Sequence, residues 1–283
     1  MALTAREKEM VLREIVKPGE GAPAGDFLAR KSGLPLSVIQ DALLKGAFRL
    51  KRRGQKWIRL RKMDTAIGPG DEVAFYYDRD ILARIPPAAD LVEDRREYTV
   101  WFKPSGLMTQ GSPWGDHCSL ERQAERHFRG RRPIYLVHRL DREASGLVLL
   151  GHTRKAAAAL SGLFREKALE KRYRVKVLGS PAAVGEKGII ERPLDGKEAR
   201  TDFLVIAYDG ARNVSELEVT LWTGRLHQIR RHLEAVGCPV LGDPRYGRGN
   251  KNREGLEVRA FSLRFTCPLS GRDVLIRHDP GER

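Results

Sequence analysis

Cysteine is scarce in this chain: Cys118, Cys238 and Cys267 stand far apart, with no CxxC pair among them. An odd, scattered set excludes a disulfide framework and suits a reducing, cytoplasmic compartment. Long apolar runs are missing as well. None approaches the ~20 residues that a membrane-spanning helix needs. The opening MALTAREKEMVLREIVK alternates charge with apolar residues and lacks the apolar core of a signal peptide. Metal-ligand spacing is wanting too. His227 and His232 lie five residues apart, which on a helix turns them away from a common face, so no metal site is expected. Carboxylates are outnumbered: 37 Asp and Glu against 52 Lys and Arg leave a net charge of +15. Such an excess favours a polyanionic partner, nucleic acid before an acidic membrane, with a merely solvated basic surface as the alternative.

What is present is enough for a large domain and a small one, since 283 residues can bury a sizeable core. Nine basic residues and no carboxylate fall in KGAFRLKRRGQKWIRLRK, Lys45 to Lys62. Trp57, Ile58 and Leu60 interrupt the run, so it is not a featureless tail. Upstream, DFLARKSGLPLSVIQDALLKG reads as two short helices joined at Leu34-Pro35-Leu36-Ser37, with Ser37 as N-cap. Downstream, Ile67-Gly68-Pro69-Gly70-Asp71 reads as a turn and EVAFYY as a strand. Ile85-Pro86-Pro87-Ala88 followed by LVEDRRE suits a linker. GEGAPAG near the start is Gly-rich without the setting of a dinucleotide loop.

From Tyr98 onward, strand and helix patterns run to the C-terminus, and four segments carry the chemistry. YTVWFKPSGLMTQGS is a strand entering a Lys-Pro-Ser-Gly turn. HRLDREASGLVLLG puts Asp141 ahead of an apolar run typical of a buried strand. LEKRYRVKVLG alternates Tyr173, Val175 and Val177 with Arg172, Arg174 and Lys176, a half-buried strand. In LWTGRLHQIRRHLEAVGCPVLGDPRYG, Arg225 stands at the entrance to a helix, His227 to Val236, stopped by Gly237. Each has a bland reading: an Asp after a strand is commonly a turn residue, a strand Tyr commonly core, and HQIRRHL could be an amphipathic surface helix. An Arg at a helix start, where the dipole disfavours cations, is less ordinary.

Taken together the four segments resemble the RluA-like pseudouridine synthases. The family's HRLDxxTSGLLL stands here as HRLDREASGLVLL, its KxYxAxV as KRYRVKV, and its GRTHQIRxHL as GRLHQIRRHL followed by PVLGDPRYG. The terminal VRAFSLRFTCPLSG is similar to the family's closing motif. Glu143-Ala144, Leu226 and Cys267 depart from the usual residues without touching Asp141, Tyr173 or Arg225. Helix, helix, basic strand, turn and strand over Asp26 to Asp78 resemble an S4-like RNA-binding module.

The resemblance implies an α+β fold: a mixed, largely antiparallel sheet with flanking helices and a central catalytic cleft, plus a small N-terminal S4-like α/β module. The corresponding division is residues 1–79, a linker 80–97, and a catalytic domain 98–283. The implied reaction turns specific uridines of structured RNA into pseudouridine, an isomerisation that needs no cofactor or metal by stoichiometry. Asp141 would be the catalytic carboxylate, at the sugar or the base, and Arg225 its ion-pair partner. Tyr173 would stack on the uracil and help remove the C5 proton. Arg139 would fill the place of the extruded base, or else pair with a neighbouring carboxylate. His138, His227 and His232 are read as structural or phosphate-facing. Lys45, Arg49, Lys51, Arg52, Arg53 and Lys56 are expected to meet RNA phosphates. By analogy the target is large-subunit ribosomal RNA and the protein a cytoplasmic monomer, away from membranes. Transfer RNA, or a catalytically silent ribosome-assembly factor, are the rivals. A glycosidase or nuclease would want a second carboxylate or a metal cluster, and Glu143 lies too close to Asp141 in sequence to serve.

Overall fold

A computed structural model describes residues 8–279. The first seven residues of the opening stretch therefore lie outside the described residues. The chain divides into two compact units, one running to Pro86 and including Gln110–Gln123, the other made of Pro87–Thr109 and the chain from Ala124.

The first unit is built on a four-stranded antiparallel sheet in the order β1 (Glu9–Ile15), β6 (Glu72–Asp78), β3 (Phe48–Lys51), β4 (Ile58–Arg59), with the short pair β2 (Ala22–Pro23) and β5 (Ala66–Ile67). Helices α1 (Ala24–Ser32) and α2 (Leu36–Leu44) bury Phe27 and Leu28, and Ile39, Ala42 and Leu43, on faces that recur at helical spacing. Phe48, Leu50, Val73, Phe75 and Tyr77 alternate inward from the strands to close the same core. Gly33 ends α1 in the left-handed region at φ 73. Ser37 is not the N-cap of α2. Pro35 takes that position because its carbonyl accepts the amides of Val38 and Ile39, which places Ser37 inside the first turn.

Residues 80–97 are more structured than a linker. They hold most of α3 (Arg79–Leu82), capped by the Asp78 side chain, and β7 (Asp90–Asp94), the edge strand of the second unit's sheet. Gln110–Gln123 belongs with the first unit because Arg59 and Arg61 both reach Asp116 and Trp114 packs edge-on against Tyr76. The chain of α4 (Leu120–His127) then passes from the first unit into the second.

The second unit carries a ten-stranded sheet. Its main path runs β12 (Lys187–Glu191), β13 (Arg200–Asp209), β14 (Val214–Leu221), β11 (Leu169–Leu178), β15 (Val258–Thr266), β10 (Ser145–Gly151), β8 (Tyr98–Lys103), β7. Strand β16 (Asp273–Arg277) pairs with β15, and β9 (Tyr135–Leu136) with β10. Every ladder is antiparallel except the short parallel contact of β10 with β15. That contact is possible because residue 146 is glycine: a Cβ there would stand 2.3 Å from the Ala260 carbonyl oxygen, and its φ is +126. Helix α5 (Arg154–Arg165) is capped by Thr153 and packs Leu160 and Leu163 with Leu147 and Leu149. Helix α6 (Gln228–Ala235) sets Ile229 and Leu233 against Val175, Val177, Leu217 and Val219. The described residues thus form an α+β fold with a mixed, mostly antiparallel sheet and six helices.

Candidate active site

The loop that carries Asp141 joins β9 to β10 and is tied down at almost every residue. Thr109 Oγ1 donates to the Leu140 carbonyl at 2.8 Å and accepts the Leu140 amide at 3.1 Å. Ser105 Oγ donates to the Glu143 carbonyl at 2.6 Å, and the Gly106 amide to that of Arg142 at 2.8 Å. Lys103, fully buried at the end of β8, is the central tie. Its ammonium donates to the carbonyls of Ala144 at 2.6 Å, Leu107 at 2.7 Å, Pro104 at 3.0 Å and Arg142 at 3.3 Å. Burial pushes Lys103 down to about 7, with Asp141 and Glu143 pulling the other way. The KPSG turn is therefore the cradle of the Asp141 loop. Lys103 was not among the expected site residues, although a lysine ending an apolar strand was a visible signal.

His138 is structural. Its Nε2 accepts the Leu149 amide at 3.0 Å and its ring stacks on Phe164 at 4.3 Å between centroids. Burial pulls its pKa to about 3, so the ring is neutral.

The counter-ion of Asp141 is Arg230, not Arg225. Arg230 Nη1 lies 3.2 Å from Asp141 Oδ2, whereas Arg225 Nε donates to the Glu198 carbonyl at 2.9 Å. The helix explains the difference. Arg225 precedes α6, and His227, the N-cap, adopts a left-handed φ of 53. One turn in, Arg230 points to the interior, while Arg231 turns outward to Asp195. Gln228 anchors this start: its Oε1 accepts from Thr223 Oγ1 and the Arg225 amide, and its Nε2 donates to the Arg200 carbonyl and Thr201 Oγ1. His232 is locked between Thr201 Oγ1 and the Arg192 carbonyl, both at 2.9 Å.

Arg230 is itself pre-oriented. Asp243, wholly buried, accepts from its Nε and Nη2 at 2.7 Å each, and from the amides of Arg245 and Tyr246. Burial works against the Arg230 cation, but Asp243 and then Asp141 outweigh it and raise its pKa. For Asp243, burial is overcome by Arg230 and the two amides, and the carboxyl is held low. The guanidinium lies over the Tyr246 ring at 5.0 Å. His227 Nε2 stands 3.7 Å from Asp141 Oδ2, and its Nδ1 meets the Tyr246 hydroxyl at 2.9 Å. Burial chiefly lowers the His227 pKa, against the pull of Asp141. Arg230, Asp243, His227 and Tyr246 complete the constellation, in HQIRRHL and the following GDPRYG.

Asp141, Tyr173, Arg225 and Arg139 line one cavity of about 610 Å³. Tyr173 faces it from β11, at a bulge against β15. Burial, and secondarily Asp141, pushes its phenol well above the usual range. Arg139 is exposed and forms no ion pair among the described residues, which leaves the pairing alternative without a carboxylate. The six basic residues expected to meet phosphate lie in the first unit. Lys45 pairs with Asp41, Lys51 with Glu72, and Arg52 donates to the Ala66 carbonyl, while Arg53 and Lys56 are exposed. Among the described residues no group of three His, Cys, Asp or Glu could hold a metal ion, and no helix is long and apolar enough to cross a membrane.

The Asp141 carboxylate, the buried Arg230 guanidinium 3.2 Å from it and the Tyr173 ring thus line one cleft of the second unit. Comparison with known proteins supplies the class: the chain belongs to the RluA-like family of RNA pseudouridylate synthases. The family model for RNA pseudouridylate synthases matches residues 97–235. Ribosomal large subunit pseudouridine synthase C of Pasteurella multocida is 30% identical over 278 residues, 88% of this chain and 84% of that protein. Ribosomal large subunit pseudouridine synthase D of Zymomonas mobilis is 32% identical over 162 residues, 49% of this chain; the chain spans 50% of that protein's length. An uncharacterized RNA pseudouridine synthase of Chloroflexus aurantiacus is 33% identical, with 59% of its length spanned. The fold is shared with human RNA pseudouridylate synthase domain containing 1, at a TM-score of 0.56 and 24% identity over 70% of this chain and 87% of that one.

Proposed function

We propose that this protein isomerises uridine to pseudouridine in structured RNA, most specifically in large-subunit ribosomal RNA. The observation that carries the reading is the Asp141 carboxylate, held by Arg230 at 3.2 Å in a cavity that Tyr173 faces. The reaction breaks the N1–C1′ bond, turns the base and joins C5 to C1′. Asp141 must act as a carboxylate partly screened from water, and the Arg230 guanidinium, oriented by Asp243, faces it at 3.2 Å. The burial that raises Tyr173 disfavours a phenolate, so its part is the ring stacked on uracil rather than a basic hydroxyl. Extruding a stacked uridine costs a few kcal/mol. Arg139, exposed and unpaired at the cavity rim, would fill the vacated place with its planar guanidinium.

The stretch up to residue 79 is read as the S4-like RNA-binding module and residues from Tyr98 as the catalytic domain. The pair of helices followed by a basic hairpin supports that reading. The names of the Pasteurella and Zymomonas relatives support a ribosomal target. Three free cysteines suit a reducing cytoplasm. The test is release of tritium from C5 of uridine in ribosomal RNA. Wild-type protein should release it and Asp141→Asn should not. Release retained in the variant would remove Asp141 from the mechanism, and absence of pseudouridine in any RNA offered to the wild type would favour a silent RNA-binding factor.

A further inference from the structure

Lys171 lies two residues before Tyr173 on β11, so both side chains leave the strand on the same side, and both line the cavity. Its ammonium stands over the Phe164 ring at 5.7 Å, and 4.0 Å from where a Cβ on Gly224 would be. Among the described residues it makes no ion pair and no hydrogen bond. The neighbouring His138 is neutral, because its Nε2 is committed to the Leu149 amide. Burial lowers the Lys171 pKa and nothing opposes it. An ammonium taken from water without a counter-charge is costly, and a site that keeps one is prepared for a ligand that brings negative charge.

The depth of Lys171 indicates which part of the ligand that is. Arg139, Arg165 and Lys167 line the same cavity from exposed positions, where phosphates of a polynucleotide can reach them. Lys171 is half-buried, on the wall that carries the Tyr173 ring. The part of an extruded nucleotide that stacks on that ring, its base, is the part that would meet it. When the N1–C1′ bond breaks, its electron pair stays with the base, and the charge spreads over N1 and the O2 and O4 carbonyl oxygens. Resting on the isomerase reading, we propose that Lys171 is a further catalytic residue: it donates a hydrogen bond to a uracil carbonyl oxygen and neutralises the base anion while it is detached. The base anion's electron pair forms the C1′–C5 bond, C5 then gives up its proton to water while N1 takes one up, so the net proton count is zero, and Lys171 keeps its own protons throughout.

Single-turnover kinetics of Lys171→Met and Lys171→Arg test the assignment. The expected result is a fall of about a hundredfold or more in the rate at saturating RNA for Lys171→Met, the usual cost of removing one donor to a developing anion. RNA affinity should stay within about threefold, and Lys171→Arg should recover part of the loss. Weakened affinity with an unchanged saturated rate would make Lys171 a phosphate contact and overturn the proposal, as would no change in either. A readout free of turnover is 5-nitrouracil, whose ring is anionic at neutral pH. Wild type and Lys171→Arg should bind it at least about tenfold more tightly than a folded Lys171→Met, the worth of one charged hydrogen bond. Equal binding, or none by the wild type, counts against the site. Binding through Lys171 by a protein that makes no pseudouridine would sink the isomerase reading and leave the anion site standing.

Discussion

Asp141 has its counter-ion in Arg230 because a buried carboxylate, Asp243, already holds that guanidinium by two hydrogen bonds of 2.7 Å. Preorganisation of this kind removes the need to order a long side chain at the moment of reaction. Arg230→Gln should therefore lower turnover by about a hundredfold or more, as misplacement of a catalytic group does. It should also melt earlier, since breaking a buried pair costs about 3–5 kcal/mol. Arg225→Ala removes one bond to a backbone carbonyl and should cost less than about tenfold in rate. Steady-state kinetics and thermal unfolding of the two variants separate the roles. His138 offers a pH test. Its folded pKa lies near 3 against an ordinary 6.5, so between those values the unfolded chain takes up a proton that the folded chain refuses. Stability then falls as pH drops through that window, by up to about 1.4 kcal/mol per unit, and is independent of this group above it. His138→Gln keeps an acceptor for the Leu149 amide but cannot titrate. Urea unfolding at neutral and acid pH should show a shallower acid loss in the variant.

Strands and helices bring these side chains together through a few close approaches. The parallel contact of β10 with β15 sets the direction in which the Asp141 loop enters, and Gly146 is where the two backbones touch. Gly146→Ala should lose about 3 kcal/mol or more of stability from overpacking against backbone. It should also lose activity beyond what the remaining folded fraction explains, which melting and single-turnover assays on the same sample would show. The strand content of KRYRVKV and of SGLVLLG was readable from alternation and from an unbroken apolar run. Helix α6 departs by only one residue at each end from the span its pattern predicts. The start of α2 was less readable, because a proline carbonyl does there what a serine hydroxyl does elsewhere. The cradle around Asp141 left one mark in the sequence, the lysine that ends an apolar strand; most of its acceptors are backbone carbonyls, which every residue carries.

Across the molecule, the excess of positive charge is spread unevenly in its availability. Lys45 and Lys51 are already paired with Asp41 and Glu72, while Arg49, Arg53 and Lys56 have no carboxylate partner among the described residues. Replacing those three by Ala should reduce the slope of log affinity for RNA against log salt by roughly two, given about 0.7–0.9 for each phosphate no longer neutralised. An unchanged slope would show the hairpin to be a solvated face. Several properties needed no folded coordinates: the family, the α+β class, and the choice of Asp141 and Tyr173 as candidates that the fold brings to one cavity. All of these are carried by residue type and spacing along the chain. Which arginine meets Asp141 was beyond reach, because Arg225, Arg230 and Arg231 share one motif and only the rotation of α6 and the buried Asp243 distinguish them. The same holds for HRLDREASG. As a string it is a turn. Folded, it is a turn held by Lys103 and Thr109 and faced by Arg230, because two segments distant in sequence converge on it at hydrogen-bonding distance.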